Sequence, residues 1–494
     1  MKKTASLPSA RPFARTQVWA ATLLGASLLA GCAPGARPLA QPDAAALPGQ
    51  WPADSHASST AHAAHTAALP DWSAMVLDPT LLQLQQQALA HNHDLRLALL
   101  RVDEARAAHG IQRADRFPTL AVGSSHARAR VPGDLNASGR PVTGSDHEVF
   151  VGFNSWELDL WGRVRSLSDA ALQQYLATAA GARAAQLSLL GQVARSYLAL
   201  REMDERLALA RSTVESRAET LRIFTRRYEV GSTSKYALTQ VQSLHNQARS
   251  LAVSLEQERA TIAHTLSLMT GQSIQALPTA TERGAPVFRE VPAGLPSTLL
   301  QARPDIVAAE HQLQAAHAQV AAARAAFFPR IALTANWGTA SAQLDGLFES
   351  GSKAWTLVPS ISLPILDGGR RSANLDLAAV RQHSAVAGYE QRVQTAFREV
   401  ADALSARHHL ALQTQVQQDN LLALKERARL AQLRYDNGAS PYLDVLDAQR
   451  DLLTAAQQAV QAQYALQQAQ VSLYTALGGA PQAAPATATS PISD

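Results

Sequence analysis

The sequence predicts an α+β protein made of two internal structural repeats, each joining a pair of β-strands to very long helices. Three observations carry that expectation. Residue pairs recur about 210 positions apart, each half holds a proline-free stretch of about 60 residues, and ahead of each stretch lie two runs of alternating apolar and polar residues. The expected divisions are 1–31, an export signal; 32–70, an acylated linker; 71–281, the first repeat; 282–304, a linker between repeats; 305–479, the second repeat; and 480–494, a C-terminal tail.

The N-terminus opens with Lys2, Lys3, Arg11 and Arg15 ahead of an apolar run from Val18 to Ala30 that ends in small residues, the pattern of a secretory signal. Cys32, the single cysteine, directly follows Leu29, Ala30 and Gly31, so no disulfide can form within the chain. A lone cysteine at the end of a signal is poorly explained as a spare buried thiol. The run from Leu29 to Cys32 resembles the lipobox of bacterial lipoproteins. That resemblance implies that Cys32 becomes the acylated first residue, anchored by its covalent lipid in the membrane. Ala33, where an aspartate would retain the protein, implies sorting to the outer membrane. No other cofactor is expected. From Ala33 to about Leu69 the chain is rich in Ala, Pro, Ser and His, and His56, His62 and His65 read as part of a linker and not as a metal site.

After the linker the chain repeats itself. Asp94-Leu95 matches Asp305-Ile306 and Phe117-Pro118 matches Phe328-Pro329, both 211 residues apart. Gly162-Arg163 matches Gly369-Arg370, Arg227-Tyr228 matches Arg434-Tyr435, Gly231 matches Gly438 and Gly271 matches Gly478, all 207 apart. An insertion such as Val131 to Ser145 accounts for the change of offset.

Taken in order, each repeat begins with a helix of moderate length, about Thr80 to Arg116 or Asp305 to Phe327. It stops at the Phe-Pro pair because proline removes a donor and restricts the residue before it. Two extended runs follow around a turn-rich loop. In the second repeat Ile331, Leu333, Ala335 and Trp337 alternate with Ala332, Thr334 and Asn336. Trp355, Leu357, Ile361 and Leu363 then alternate with Thr356, Ser360 and Ser362, a period of two with one apolar face. The first repeat does this more weakly, over Thr119 to Arg130 and Glu148 to Leu160. The proline-free stretches come next, Arg165 to Tyr228 and Arg371 to Tyr435, each a helical rod of roughly 100 Å at 1.5 Å per residue. A glycine turn at Gly231 or Gly438 ends each rod, and a helix of about 40 residues returns toward Gly271 or Gly478. Rods of this length must pack side by side as coiled coils.

No apolar stretch of about 18 residues follows the signal, so any membrane crossing falls to the strands. Two hairpins supply four strands per chain, too few for even the smallest membrane barrel, so a spanning chain must oligomerise. A cyclic trimer would have twelve strands without an exposed edge and a matching tube of twelve helical columns. The competing arrangement keeps the hairpins as sheet lids on an extended soluble coiled coil, and four short alternating runs leave both open.

At this point a resemblance enters. The run Leu295-Pro296-Ser297-Thr298-Leu299-Leu300-Gln301-Ala302-Arg303-Pro304-Asp305-Ile306 resembles the linker between halves in the outer membrane efflux protein family, the TolC-like channels, and specifically in its OprM and NodT lipoprotein branch. Also similar are Ala325-Ala326-Phe327-Phe328-Pro329, the turn Asp367-Gly368-Gly369-Arg370, and Tyr435 through Asp444-Val445-Leu446-Asp447-Ala448-Gln449-Arg450. The resemblance covers essentially the whole chain after Cys32. It implies a homotrimeric outer-membrane β-barrel, four strands per protomer and twelve in total, continuous with a long periplasmic α-helical barrel. Its expected partners are outer-membrane lipid, a periplasmic adaptor protein and an inner-membrane pump of the resistance, nodulation and division class.

The expected site is the second helical turn. Ser440 is positioned as a helix N-cap and Pro441 as the first helical residue, so Asp444 and Asp447, three apart, share one helical face. In a trimer they would form two stacked carboxylate rings that favour cations, or else they are solvated acids favoured by a helix N-terminus. The resemblance assigns them, with Leu443 as an apolar ring, to the channel gate, and assigns Tyr435 to a latch that holds the tip closed. The acidic position that usually partners this tyrosine is Ala237 here, flanked by Lys235 and Tyr236.

With 44 basic and 40 acidic residues scattered along helical stretches, the charge pattern does not call for nucleic acid. No phosphate-binding loop, His-Glu-x-x-His or Gly-x-Ser-x-Gly motif occurs, and His408-His409 sits among Gln and Leu as a solvated helix face, so no enzyme is expected. The implied function is passive conduction of drugs or other toxic small molecules. A protein-secretion duct and a non-conducting structural lipoprotein are the alternatives.

Overall fold

A computed structural model of the protein describes residues 69–274, 285–291 and 302–480. Cys32, His56, His62, His65, residues 295–301 and the tail beyond 480 lie outside them. In chain order the elements are α1 (Trp72–Met75), α2 (Pro79–His91), α3 (His93–Ala114), β1 (Ala121–Val131), β2 (Val142–Glu157), α4 (Arg163–Glu229), α5 (Lys235–Thr270), α6 (Pro304–Ala325), β3 (Arg330–Ser341), β4 (Lys353–Ser362), α7 (Arg370–Asp436) and α8 (Tyr442–Ala476). The predicted series of helix, hairpin, long helix and returning helix thus occurs twice. The compact units cut across the repeats: one gathers residues 107–173 and 314–384, the other the remaining described residues.

The first unit is built on a four-stranded antiparallel sheet in the order β1-β2-β3-β4. β2 pairs with β3, so one sheet joins both repeats. Trp337 lies opposite Trp355, Ala335 opposite Leu357 and Ile331 opposite Ile361, as the alternation predicts. This apolar face is uncovered, with Trp337 64% and Trp355 73% exposed. β2 begins at Val142 and not near Glu148, because Thr143 to His147 pair with β1 through their backbone although they add nothing to an apolar face. Between Phe153 and Trp156 the β2–β3 register shifts. There Ser155 takes a φ of 53°, and its N–H donates to Thr334 Oγ1 at 3.0 Å.

Both moderate helices stop short of their expected ends, α3 at Ala114 and α6 at Ala325. The chain tightens before each proline: Phe117 N donates to Ala114 O at 2.9 Å and Phe328 N to Ala325 O at 3.1 Å, both i to i+3. At the helix end of the sheet Glu157 holds Arg163 and Arg330, each at 2.8 Å. Asp159 caps α4 by accepting from Val164 N at 3.0 Å and Arg165 N at 2.7 Å.

The second unit has its core where the short elements meet the helices. Trp72 packs edge-on to Tyr474 at 5.2 Å and tilted to Phe288 at 5.3 Å, among buried Met75, Leu81, Val193 and Val400. A second cluster, Met203, Leu207 and Ala210 of α4 against Ala252 and Leu255 of α5, joins the two long helices side by side.

The helix expected from Thr80 to Arg116 is two helices, broken at Asn92. Its side chain accepts from Leu95 N at 2.9 Å, starting α3, and donates to the carbonyl of Met269 at 3.1 Å near the end of α5. The corresponding residue of the second repeat, 211 positions on, is Arg303. Its Nη1 donates to the carbonyl of Ala476, the last residue of α8, at 2.5 Å, while Nη2 reaches Asp305 and Glu399, each at 2.8 Å. Burial alone would discharge both Arg303 and Asp305, but their mutual bond prevails, raising the guanidinium pKa and lowering that of the carboxyl. Among the described residues no helix is long and apolar enough to cross a membrane.

Candidate functional site at the helical turns

Each long helix ends at a glycine with positive φ, Gly231 at 73° and Gly438 at 70°. Gly231 N donates to Tyr228 O at 3.0 Å and Ser232 N to Arg227 O at 2.8 Å. Gly438 N donates to Tyr435 O at 2.9 Å and Ala439 N to Arg434 O at 2.8 Å. This is the Schellman arrangement, in which a left-handed residue lets two carbonyls of the last turn find donors, and a side chain at either glycine would be strained.

The returning helices start differently. Ser234 caps α5 by accepting from Ala237 N at 3.2 Å. In the second turn the expected cap is displaced by one residue: Pro441 itself occupies the N-cap, with ψ at 155°, and makes no side-chain cap bond. The proline side chain has no polar atom to offer, so Asp444 N donates to the Pro441 backbone carbonyl at 3.2 Å. Ser440 Oγ is buried without a partner among the described residues.

Asp444 and Asp447 lie, as the spacing predicts, on one face of α8 with Leu443. Val445 and Leu446 are buried on the other face and Ala448 is buried between the two, while Leu443 is 42% exposed. The two acids are not equivalent. Asp447 is 3.4 Å from Arg450, which also approaches Asp451 at 3.6 Å, and Asp451 in turn meets Arg427 at 2.6 Å. Asp444 is exposed and has no side-chain partner among the described residues, so no neighbour shares its charge.

Tyr435 has a partner that the sequence did not reveal. Its hydroxyl accepts from Arg227 Nη1 at 2.5 Å, linking the last turns of α4 and α7. The tyrosine ring stands edge-on to Tyr442 at 4.8 Å, Tyr442 packs on Phe224 at 4.7 Å, and Arg227 lies over Phe224 at 5.6 Å. Burial raises the Tyr442 hydroxyl pKa, and its contact with Thr220 is long, at 3.4 Å. Ala237 packs against the apolar cluster of Phe224, Leu238, Val241 and Leu446, a setting that an acid would disrupt. Lys235 turns to the Tyr228 ring at 5.3 Å. The recurring pair Arg227-Tyr228 and Arg434-Tyr435 was the one sequence signal for this cluster.

Among the described residues no group of three or more His, Cys, Asp or Glu could hold a metal ion. The arrangement is a charged and aromatic turn.

An open four-stranded sheet with an exposed apolar face leads in the chain to paired long helices, an architecture shared with outer-membrane channel proteins. The open-state MtrE outer membrane channel of Neisseria gonorrhoeae has the same fold, with a TM-score of 0.78 at 36% identity over 88% of this chain and 96% of that one. The family model described as outer membrane efflux protein matches residues 84–272 and 295–479. The chain is 42% identical over 454 residues to the solvent efflux pump outer membrane protein SrpC of Pseudomonas putida, spanning 92% of this chain and 96% of that protein. It is also 42% identical over 416 residues to the outer membrane protein OprJ of Pseudomonas aeruginosa, spanning 83% of this chain and 86% of that one. The chain belongs to the outer membrane efflux protein family, and its place is the outer membrane.

Proposed function

We propose that three copies of this chain close into a twelve-stranded barrel and form the outlet of a tripartite efflux system, passively conducting small toxic molecules. The observation that carries this reading is the open sheet. Among the described residues its β1 and β4 edges are unpaired and its apolar face is uncovered, two features that closure in a membrane relieves together. In this reading a periplasmic adaptor and an inner-membrane pump of the resistance, nodulation and division class deliver the cargo and the energy, and the acyl chains on Cys32 anchor each protomer. SrpC is named for solvent efflux, and the cargo proposed here is of that broad kind, compounds small enough to follow a water-filled duct.

The gate in this reading is the α8 stripe. Threefold symmetry brings three copies of Asp444 and Asp447 together as carboxylate rings that favour cations, with Leu443 beside them. The Arg227–Tyr435 bond is the latch that replaces an acid at position 237. Single-channel recording of the purified protein in planar bilayers, together with its cross-linked mass, tests the reading. Trimers with steady conductance are expected, whereas a monomer, or a trimer silent at every voltage, would make the chain a tether and end the proposal.

A further inference from the structure

Charge on the sheet is sorted by face. Val122, Val151, Trp337 and Trp355 form one row across the four strands, on the uncovered apolar face. Because side chains alternate, every second residue toward the β1–β2 turn shares that face. The titratable residues found there, set among Ser124, Val149, Thr339 and Ser145, are all basic: Lys353 one row beyond the tryptophans, the facing pair His126 and His147 in the second row, Arg128 in the third and Arg130 in the fourth. The two histidine rings stack at 4.1 Å and 22°. The acids of the same hairpin, Asp146 and Glu148, fall on the opposite face, where Glu148 accepts from Ser125 Oγ at 3.4 Å. Arg128, Arg130 and Lys353 are exposed, and none has a carboxylate partner among the described residues.

Two successive outward arginines of β1 without carboxylate partners, beyond lipid-facing tryptophans, call for anions at a defined height. Tryptophans of a barrel's apolar face mark the interface between hydrocarbon and head groups. Rows lie about 7 Å apart along a strand, so with a tilt of about 40° Arg128 stands roughly 15 Å outside that level. An ordinary phospholipid phosphate lies below this height, whereas the phosphates of a large sugar head group reach it. We propose that this basic column binds the phosphates of the phosphorylated glycolipid of the outer leaflet, with Arg128 and Arg130 as its bidentate anchors. The inference rests on the barrel reading above, which sets the apolar face toward lipid.

The test is native mass spectrometry of the full-length protein extracted from outer membranes, counting retained phosphorylated glycolipid. The parent is compared with Arg128→Gln/Arg130→Gln, with the rescue variant Arg128→Lys/Arg130→Lys, and with Asp146→Asn/Glu148→Gln on the opposite face. The glutamine variant is expected to retain at least about tenfold less glycolipid, the loss of one or two charge-assisted bonds. The lysine variant keeps the charge but not the bidentate geometry and should fall between the parent and the glutamine variant, the opposite-face variant should keep most of it, and the same lipid stripped of phosphate should not bind the parent. Equal retention by parent and glutamine variant, equal binding of the stripped lipid, or inorganic phosphate alone binding as tightly, would each overturn the proposal. Conductance of the same preparations separates the two readings: a conducting parent with unchanged lipid retention in the variants sinks only the lipid site, and a silent parent sinks the barrel.

Discussion

The two repeats meet the same physical problem at corresponding positions and solve it with different chemistry. The last carbonyls of a helix lack donors within the helix, and in a packed core they must find them elsewhere. In the first repeat Asn92, 8% exposed, supplies a neutral amide to Met269 O; in the second, Arg303, 6% exposed, supplies a guanidinium to Ala476 O and is itself neutralised by Asp305 and Glu399. The contrast shows how far two copies of one element can diverge while the backbone task stays fixed. The amide joint depends on one hydrogen bond at each end, whereas the ionic joint couples three elements, α6, α7 and α8, through one buried cation.

The largest expected effect is therefore at the ionic joint. Arg303→Ala leaves a carbonyl and two partly exposed carboxylates without their cation, and should lower stability by about 3 kcal/mol, read as a fall in the thermal midpoint of the solubilised protein. Asn92→Ala removes the weaker joint and should cost about 1–2 kcal/mol in the same assay. If the two variants lose equally, the distinction between the joints is wrong.

The joints should also differ in acid. Asp305 has its folded pKa lowered, so its contribution is complete above the unfolded value of about 3.9 and is lost as pH falls through the lower folded value. The stability difference between the parent and Asp305→Asn should hold at neutral pH and shrink below about pH 4. The cost of Asn92→Ala has no titrating group behind it and should stay constant over that range. A constant Asp305 effect down to pH 2 would contradict the assigned pairing.

The helical turns sharpen the comparison further. Tyr435→Phe deletes the acceptor for Arg227 and should loosen the second turn by about 1 kcal/mol, visible as faster amide exchange at Gly438 and Ala439. Tyr228→Phe, at the corresponding place in the first repeat, keeps the ring that Lys235 faces and should change exchange little. Equal responses would mean that Arg227 does not latch the turn.

Much of this was legible in the sequence because it depends on local rules. Prolines at 118 and 329, glycines at 231 and 438 and the alternation from Ile331 to Trp337 each act over a few residues, and the helices and strands fall where they direct. What stayed hidden depends on distant partners. Pairing of β2 with β3, the reach of Asn92 to Met269 and the bond between Arg227 and Tyr435 each join residues over a hundred positions apart. No pattern announces the first two, and only the recurrence of the Arg-Tyr pair at 227–228 and 434–435 hints at the third. The misplaced cap at Ser440 is a different failure. Serine and proline both favour helix starts, and the identities alone do not decide which of two neighbours bears the non-helical ψ.

The proposed gate is tested most directly by single-channel conductance and ion selectivity of Asp444→Ala and Asp447→Ala, each alone, beside the parent. Asp444 has no partner within the described chain and Asp447 is held near Arg450, so removal of Asp444 should raise conductance and weaken cation preference more than removal of Asp447. If neither variant differs from the parent, the carboxylates do not line the constriction; if Asp447→Ala has the larger effect, the unshared charge of Asp444 is not what controls the passage.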